Sequence, residues 1–374
     1  MKSVVLTGAG GAMGRRVLAA LGRRPEIERI CLLGPVWLAE QGRTRACAAM
    51  AVGNAEVRRV AGDLRAPRFG LDEVAFVALG EGTDVVIHCA ERSRLDGDLG
   101  ASRADNVKPL ETLVELLRWN GRTRLVHLST AWVAGTRRGL FTEFDLACGQ
   151  RFCNAFEQSK YEAECLLRDS EVAERVTIVR RSLTIDETGP AGETDESPLV
   201  PLLGRIARGQ RTLIAGDPLA HLDLVPLGHV AEAVVALAGH PAAAGKTLHL
   251  VAGWPHSRPL GELVELARSL HRGEGNATVR FVPPALAFLV RRLRPLAPYL
   301  RQRCIFDDFL ARELLEPLGL SCPAPEAYLA QALGSLAAVL APSWARPSEK
   351  ETARVEGLPS AASSGHPTGS SILS

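Results

Sequence analysis

The chain has 374 residues, 46% of them hydrophobic and 23% charged, which suits a soluble globular protein of one large or two modest domains with a sizeable core. Lys and Arg number 44 against 42 Asp and Glu, so the formal net charge of +2 carries no basic excess, and nucleic acid is excluded as an expected partner. Eight cysteines lie scattered without C-x-x-C spacing or close His pairs, which argues for reduced, packed thiols and against a disulfide frame or a metal site.

An apolar run at 4–6 leads into glycines at Gly8, Gly11 and Gly14 and then into a helix-compatible run at 15–21. Strand, tight turn and helix in that order read as a dinucleotide site. Glycine permits the turn and the close approach of a pyrophosphate, and the free N–H groups of the helix start attract its charge. Ala12, Met13 and Arg15 join the three glycines as cofactor-binding candidates. The spacing is three residues between glycines rather than G-x-G-x-x-G. Because the first strand occupies the N-terminus, no cleavable signal peptide is expected, and no charge-free stretch reaches the length of a membrane span; the cytoplasm is the expected compartment.

A second strand at 30–33 ends at Gly34, a position that in nucleotide folds carries an acidic residue for the ribose of NAD or lies near an arginine for the 2′-phosphate of NADP. Gly34 does neither. Arg15, Arg43 and Arg45 are the available cations, so the expected cofactor is NADP or NAD, with NADP preferred. Residues 57–64 read as a third strand running into a loop that carries Asp63 and Leu64, and a fourth strand at 84–90 ends in Ala90, small enough for a cofactor to lie against the sheet. Leu110, Leu113, Val114 and Leu117 mark a helix with one apolar face between Asn106 and Trp119. A fifth strand at 125–130 ends in Ser129 and Thr130. This alternation predicts an α/β fold with a doubly wound parallel sheet and ligands at the carboxyl ends of its strands.

A helix is expected over 152–168, with Lys160 within it, and a sixth strand over 176–180. Residues 186–201, rich in Gly, Pro, Thr and acidic residues, are expected to form a mobile loop over the site. Residues 230–237 read as an amphipathic helix. A strand at 248–251 and a helix at 260–270 are expected in a smaller C-terminal lobe. The apolar stretch 285–300, with Arg291, Arg292 and Arg294 and broken by Pro295 and Pro298, is assigned to an acyl-binding cleft in preference to a membrane-surface helix. The tail at 343–374 is expected to be disordered. The division is thus a cofactor domain at 1–180, rejoined by 220–240, and a substrate lobe within 181–340.

Taken together, the glycine turn, Gly62-Asp63-Leu64, His88-Cys89-Ala90, Asn106-Val107, Ser129 to Gly135 and Lys160 resemble the extended short-chain dehydrogenase/reductase superfamily. Within it, Val126 to Thr130, Asn154 to Lys160 with Glu164, and Leu222 to Pro226 are most similar to the fatty acyl-CoA reductase and thioester reductase branch. The resemblance implies a Rossmann-type domain binding NAD(P), with Asp63, Leu64, Ala90, Asn106 and Lys160 added to the cofactor site. It implies reduction of an acyl thioester, on CoA or an acyl carrier protein, or of a derived carbonyl. Thr130 would polarise the substrate oxygen and Lys160 would hold the nicotinamide ribose. The proton-donating Tyr of the superfamily falls on Phe156, which has no exchangeable proton.

Positioned acid–base catalysis contributes about 10²–10⁴-fold, so the substitution leaves slow hydride transfer open. On a helix of roughly 100° per residue, Lys160 lies about 40° round from Phe156 and Tyr161 about 140°, so Tyr161 is expected to face away. Thr130, a water held by Lys160, or Glu157 are the remaining proton sources; His88 and His127 read as strand residues. Two other functions stay open. One is a catalytically impaired NAD(P)-binding protein, and the other is a nucleotide-sugar epimerase or dehydratase. The latter fits less well, because Arg181 to Asp186 stand where those enzymes carry an Asn and a Gly-Pro pair.

Overall fold

The computed structural model describes residues 1–35, 53–187, 199–270, 278–283 and 296–339. The apolar runs of the first half become parallel strands because both of their faces are covered. Every residue of β1 (Ser3–Thr7) is buried. After β2 (Arg29–Gly34) and β3 (Glu56–Ala61), the same holds for β4 (Val85–His88) and, past Arg124, for β5 (Arg124–Thr130). With β6 (Val176–Arg181) and β7 (Thr247–Leu250) they form one sheet in the order β3-β2-β1-β4-β5-β6-β7, parallel throughout. The chain winds outward in both directions from β1, so a crevice opens at the carboxyl ends of β1 and β4, the ligand position of doubly wound sheets.

One face is covered by α1 (Ala12–Gly22) and the other by α2 (Glu73–Glu81), α4 (Lys108–Trp119) and α5 (Ala155–Arg168), with α3 (Leu99–Asn106) packed along α5. In α4, Leu110, Leu113, Val114 and Leu117 are all buried, the i, i+3, i+4, i+7 stripe of a helix lying on a sheet. Far along the chain, α6 (Leu227–Gly239) returns to pack beside α1.

Several expectations need correction. The strand assigned to the smaller lobe, Thr247–Leu250, is the edge strand of the main sheet: β6 offers it a free parallel edge, and Leu248 and Leu250 are buried in the core with α1 and α6. The helix Phe309–Leu315 also packs on this face through Ala311 and Leu315. The fourth strand stops at His88, since the chain then turns into the crevice. The expected loop at 186–201 ends by Leu199, where the buried Leu199, Val200, Leu202 and Leu203 start the helix Leu199–Ala207; residues 188–198 lie outside the described residues, as do Arg43, Arg45, 284–295 and the tail.

A second core gathers the helices Leu199–Ala207, Leu260–Ser269 and Pro325–Val339 and three short parallel strand pairs. Trp132 sits at its edge, meeting Tyr299 and Phe306 edge-on with ring centroids 4.6 and 5.4 Å away. Among the described residues no helix is long and apolar enough to cross a membrane.

Two buried ionic groups fasten the architecture. Arg180 of β6 binds Glu164 of α5 through Nε and Nη2, both side chains fully buried, and also meets His249 of β7 and the Asp145 carbonyl. Asp223 accepts the N–H groups of Ala252 and Gly253 at 2.7 and 3.0 Å. Burial, with Asp308 nearby, pushes its carboxyl up to about 6.

Glu164→Ala strands the guanidinium of Arg180 and should destabilise the fold by about 3–5 kcal/mol, read from the urea midpoint at constant m-value. For Asp223 the folded value lies above the unfolded one, so its contribution is fully present below about pH 4 and is lost as pH rises through its folded value. Stability measured across that window should fall in the wild type and show a flatter profile in Asp223→Asn.

Candidate functional site

A cavity of about 650 Å³ runs from the glycine turn along the carboxyl ends of β1, β4 and β5 to the second core. Its glycines serve two purposes. Gly8 has φ +75°, and a Cβ there would lie 2.5 Å from the Ala90 nitrogen; a Cβ on Gly14 would lie 2.1 Å from the Gly8 carbonyl oxygen. These two make the strand-to-helix turn possible. Gly11 is different, because a Cβ there meets only the Gly8 oxygen, at 3.5 Å. It borders the cavity and caps α1 with no side chain, leaving the first-turn N–H groups of Ala12, Met13 and Gly14 to an anion. The cradle fits a pyrophosphate.

At the end of the cavity beside β2, Leu33 and Gly34 border it with Asp63 and Leu64. The Asp63 carboxylate accepts the Arg65 N–H at 2.9 Å, which orders the loop after β3. Arg15 is not in the cavity wall: its guanidinium folds back onto the Gly10 carbonyl at 2.6 Å.

At the other end, Ala90, Thr130 and Phe156 share the cavity wall. The Thr130 hydroxyl donates to the Arg181 carbonyl at 3.3 Å and accepts the Trp132 N–H at 3.2 Å, so its one proton is held by a long, weak bond. Tyr161 does turn away from the cavity, its ring 5.0 Å from that of Phe152. His88 and His127 stack at 5.5 Å within the sheet, and burial holds both below the usual imidazole range, His88 down to about 3. They stay neutral.

Two expected cofactor residues sit elsewhere. Asn106 is buried and engaged within the protein: its Nδ2 donates to Ser159 and to the Arg92 carbonyl, and its Oδ1 accepts the Arg92 N–H at 2.6 Å. It clamps the loop after β4 onto α5. Lys160 is fully buried; its ammonium donates to the Leu128 carbonyl and pairs with Glu91 at 3.3 Å. Burial pushes this ammonium below its ordinary value, partly offset by Glu91.

Glu91 borders the cavity where Lys160 was expected to do so, and it also binds Arg181. Burial raises its carboxyl, but Arg181 and Lys160 outweigh that and hold it below the ordinary carboxylate range. An ammonium this deep needs a counter-charge. Glu91, Arg181, Trp132 and Tyr299 were not singled out from sequence. Glu91 directly follows Ala90 and Arg181 ends β6, and strand-end position was the available signal for both.

Residues 6–234 match the model of an NAD-binding family described as male sterility protein. The terminal R domain from the myxalamid PKS-NRPS biosynthetic pathway has a similar structure, with a TM-score of 0.74, 25% identity and 90% of each chain covered. A thiolation-reductase di-domain from an archaeal non-ribosomal peptide synthetase gives a TM-score of 0.68 at 15% identity, covering 90% of this chain and 75% of that one. The L-2-aminoadipate reductase large subunit of Penicillium chrysogenum is 27% identical over 282 residues, 68% of this chain and 20% of that protein. The chain spans 6% to 31% of the length of the first curated relatives it matches. With the parallel sheet, the glycine cradle and this match, the chain belongs to the male sterility family of NAD-binding domains, within the extended short-chain dehydrogenase/reductases.

Proposed function

We propose that this domain reduces an acyl thioester, or a carbonyl derived from one, by hydride transfer. The observation that carries the reading is the continuity of a single cavity from the glycine cradle to Thr130, Phe156 and Trp132. A bound NADPH or NADH would supply the hydride at the inner end of that cavity. NADP is preferred because Gly34, at the end of β2, places no carboxylate against a 2′-phosphate. The thiolation-reductase arrangement of one structural relative and the synthetase context of the others support a thioester on a carrier protein as the substrate, with CoA as the free counterpart. The working compartment in this reading is the cytoplasm.

In the chemical step, Thr130 turns its weakly held hydroxyl proton from the Arg181 carbonyl to the substrate oxygen, stabilising negative charge as it develops. Glu91, on the cavity wall, would accept the ribose hydroxyls of a bound cofactor. Lys160 and Arg181 fix Glu91 and keep it ionised, so Lys160 acts through Glu91 as a positioning residue. Phe156 gives the pocket an apolar wall. The second reading, a cofactor-binding domain impaired in catalysis, is favoured by Phe156 alone.

Purified protein mixed with NADPH or NADH and a panel of acyl thioesters and aldehydes should consume cofactor; binding without consumption favours the impaired domain. Thr130→Ala should lower kcat by about 10²-fold at unchanged cofactor Kd. Gly11→Ala should fold normally yet weaken cofactor binding by at least about tenfold, because the added methyl enters the cradle, whereas Gly8→Ala should fail in thermal stability first.

A further inference from the structure

Hydride addition to a carbonyl carbon leaves an oxyanion that must be protonated, and the helix position expected to do this is Phe156. The chain has three tyrosines. Tyr161 packs on Phe152, and the Tyr328 hydroxyl donates to the Leu224 carbonyl at 2.8 Å, inside the second core. Tyr299 alone of the three borders the cavity that holds Thr130 and Phe156.

We propose that Tyr299, delivered from the second core, is the proton donor of this site, with Glu157 behind it as the residue that returns the proton. The inference rests on the reductase reading above. Its geometry comes from the two residues that flank Phe156 at the start of α5. Asn154 caps the helix, its Oδ1 accepting the Glu157 N–H at 2.9 Å, and its Nδ2 donates to the Tyr299 oxygen at 2.8 Å. The Glu157 carboxyl lies close enough to the phenol to act on its charge. The Tyr299 oxygen is therefore held at the first turn of α5, beside Phe156. Its ring packs edge-on against Trp132 at 4.6 Å and 79°.

The charge state suits donation. Glu157 is 1% exposed, and burial raises its carboxyl despite the hydrogen bonds it accepts from the Cys153 N–H and the Asn154 Nδ2. Burial holds the Tyr299 phenol protonated. With Glu157 protonated, its O–H donates to the Tyr299 oxygen and frees the phenol proton for the cavity. In the step, the hydride forms the new C–H bond and the C=O π pair moves onto oxygen. That oxygen takes the phenol proton as the phenol O–H bond breaks. The phenolate then takes the carboxyl proton of Glu157, and water reprotonates Glu157. The hydride donor is the reduced nicotinamide of the proposed reaction.

The test compares wild type, Tyr299→Phe, Glu157→Gln and Tyr299→Phe with Phe156→Tyr, reading kcat against pH, cofactor Kd by fluorescence, and fold by circular dichroism. Tyr299→Phe should lose about 10²-fold or more in kcat at unchanged Kd, and adding Phe156→Tyr should restore most of the loss. Glu157→Gln should abolish the fall of kcat at rising pH that loss of the carboxyl proton causes in the wild type. An active wild type with kcat unchanged in Tyr299→Phe overturns the assignment and leaves the reductase reading standing. A kcat loss that comes with weakened cofactor binding and is not rescued by Phe156→Tyr assigns Tyr299 a packing role and also overturns it. A wild type that binds cofactor but is silent with every thioester and aldehyde overturns the reductase reading, and the donor role falls with it.

Discussion

The buried pair of Arg180 and Glu164 is the constraint on which the site depends. One guanidinium, with Phe141 under it at 5.1 Å, ties α5 to β6, to β7 through His249 and to the Asp145 carbonyl; the Glu164 Oε1 also accepts the Ser129 hydroxyl of β5. A buried pair of this kind contributes little net stability over an apolar substitute, but it allows one arrangement and penalises slippage. Phe156, Lys160 and Glu164 recur at intervals of four, on one stripe of α5. Anchoring Glu164 to the sheet therefore sets the rotation of α5 that turns Phe156 into the cavity and Lys160 beneath it.

The same electrostatic logic continues along the stripe. Lys160 has no solvent, so its charge requires Glu91, and Glu91 in turn requires Arg181. Three charges in series leave a carboxylate, rather than an ammonium, on the cavity wall. The sheet thus supplies a cofactor cradle made of backbone and a polar wall made of balanced charge. The second core supplies Trp132 and Tyr299, side chains of the substrate end. Residues of the sheet side and of the second core line the cavity together, so it takes its shape from both.

What was legible in the sequence was local. The glycine turn follows from backbone sterics within a few residues, and Thr130 from its place at a strand end. The strands β1, β4 and β5 follow from apolar runs that only a two-sided burial explains. What was illegible depended on residues distant in the chain. Asn106 carries no mark that its partners are Ser159 and the Arg92 backbone, and Lys160 none that Glu91 screens it. Thr247–Leu250 joins the main sheet because β6 has an open edge, a fact of assembly rather than of those four residues. Tyr299 meets Asn154 across 145 residues of chain, in a stretch whose composition suggested only an apolar lining.

The most direct test of hydride transfer at this site is isotopic. The full chain is given cofactor carrying deuterium on the transferable face of the nicotinamide C4, both faces being prepared, together with a carrier-bound acyl thioester, and the product is read by mass spectrometry. The account predicts deuterium at the former carbonyl carbon with one of the two labelled faces. Cofactor that binds while the thioester is recovered unreduced and unlabelled would contradict it.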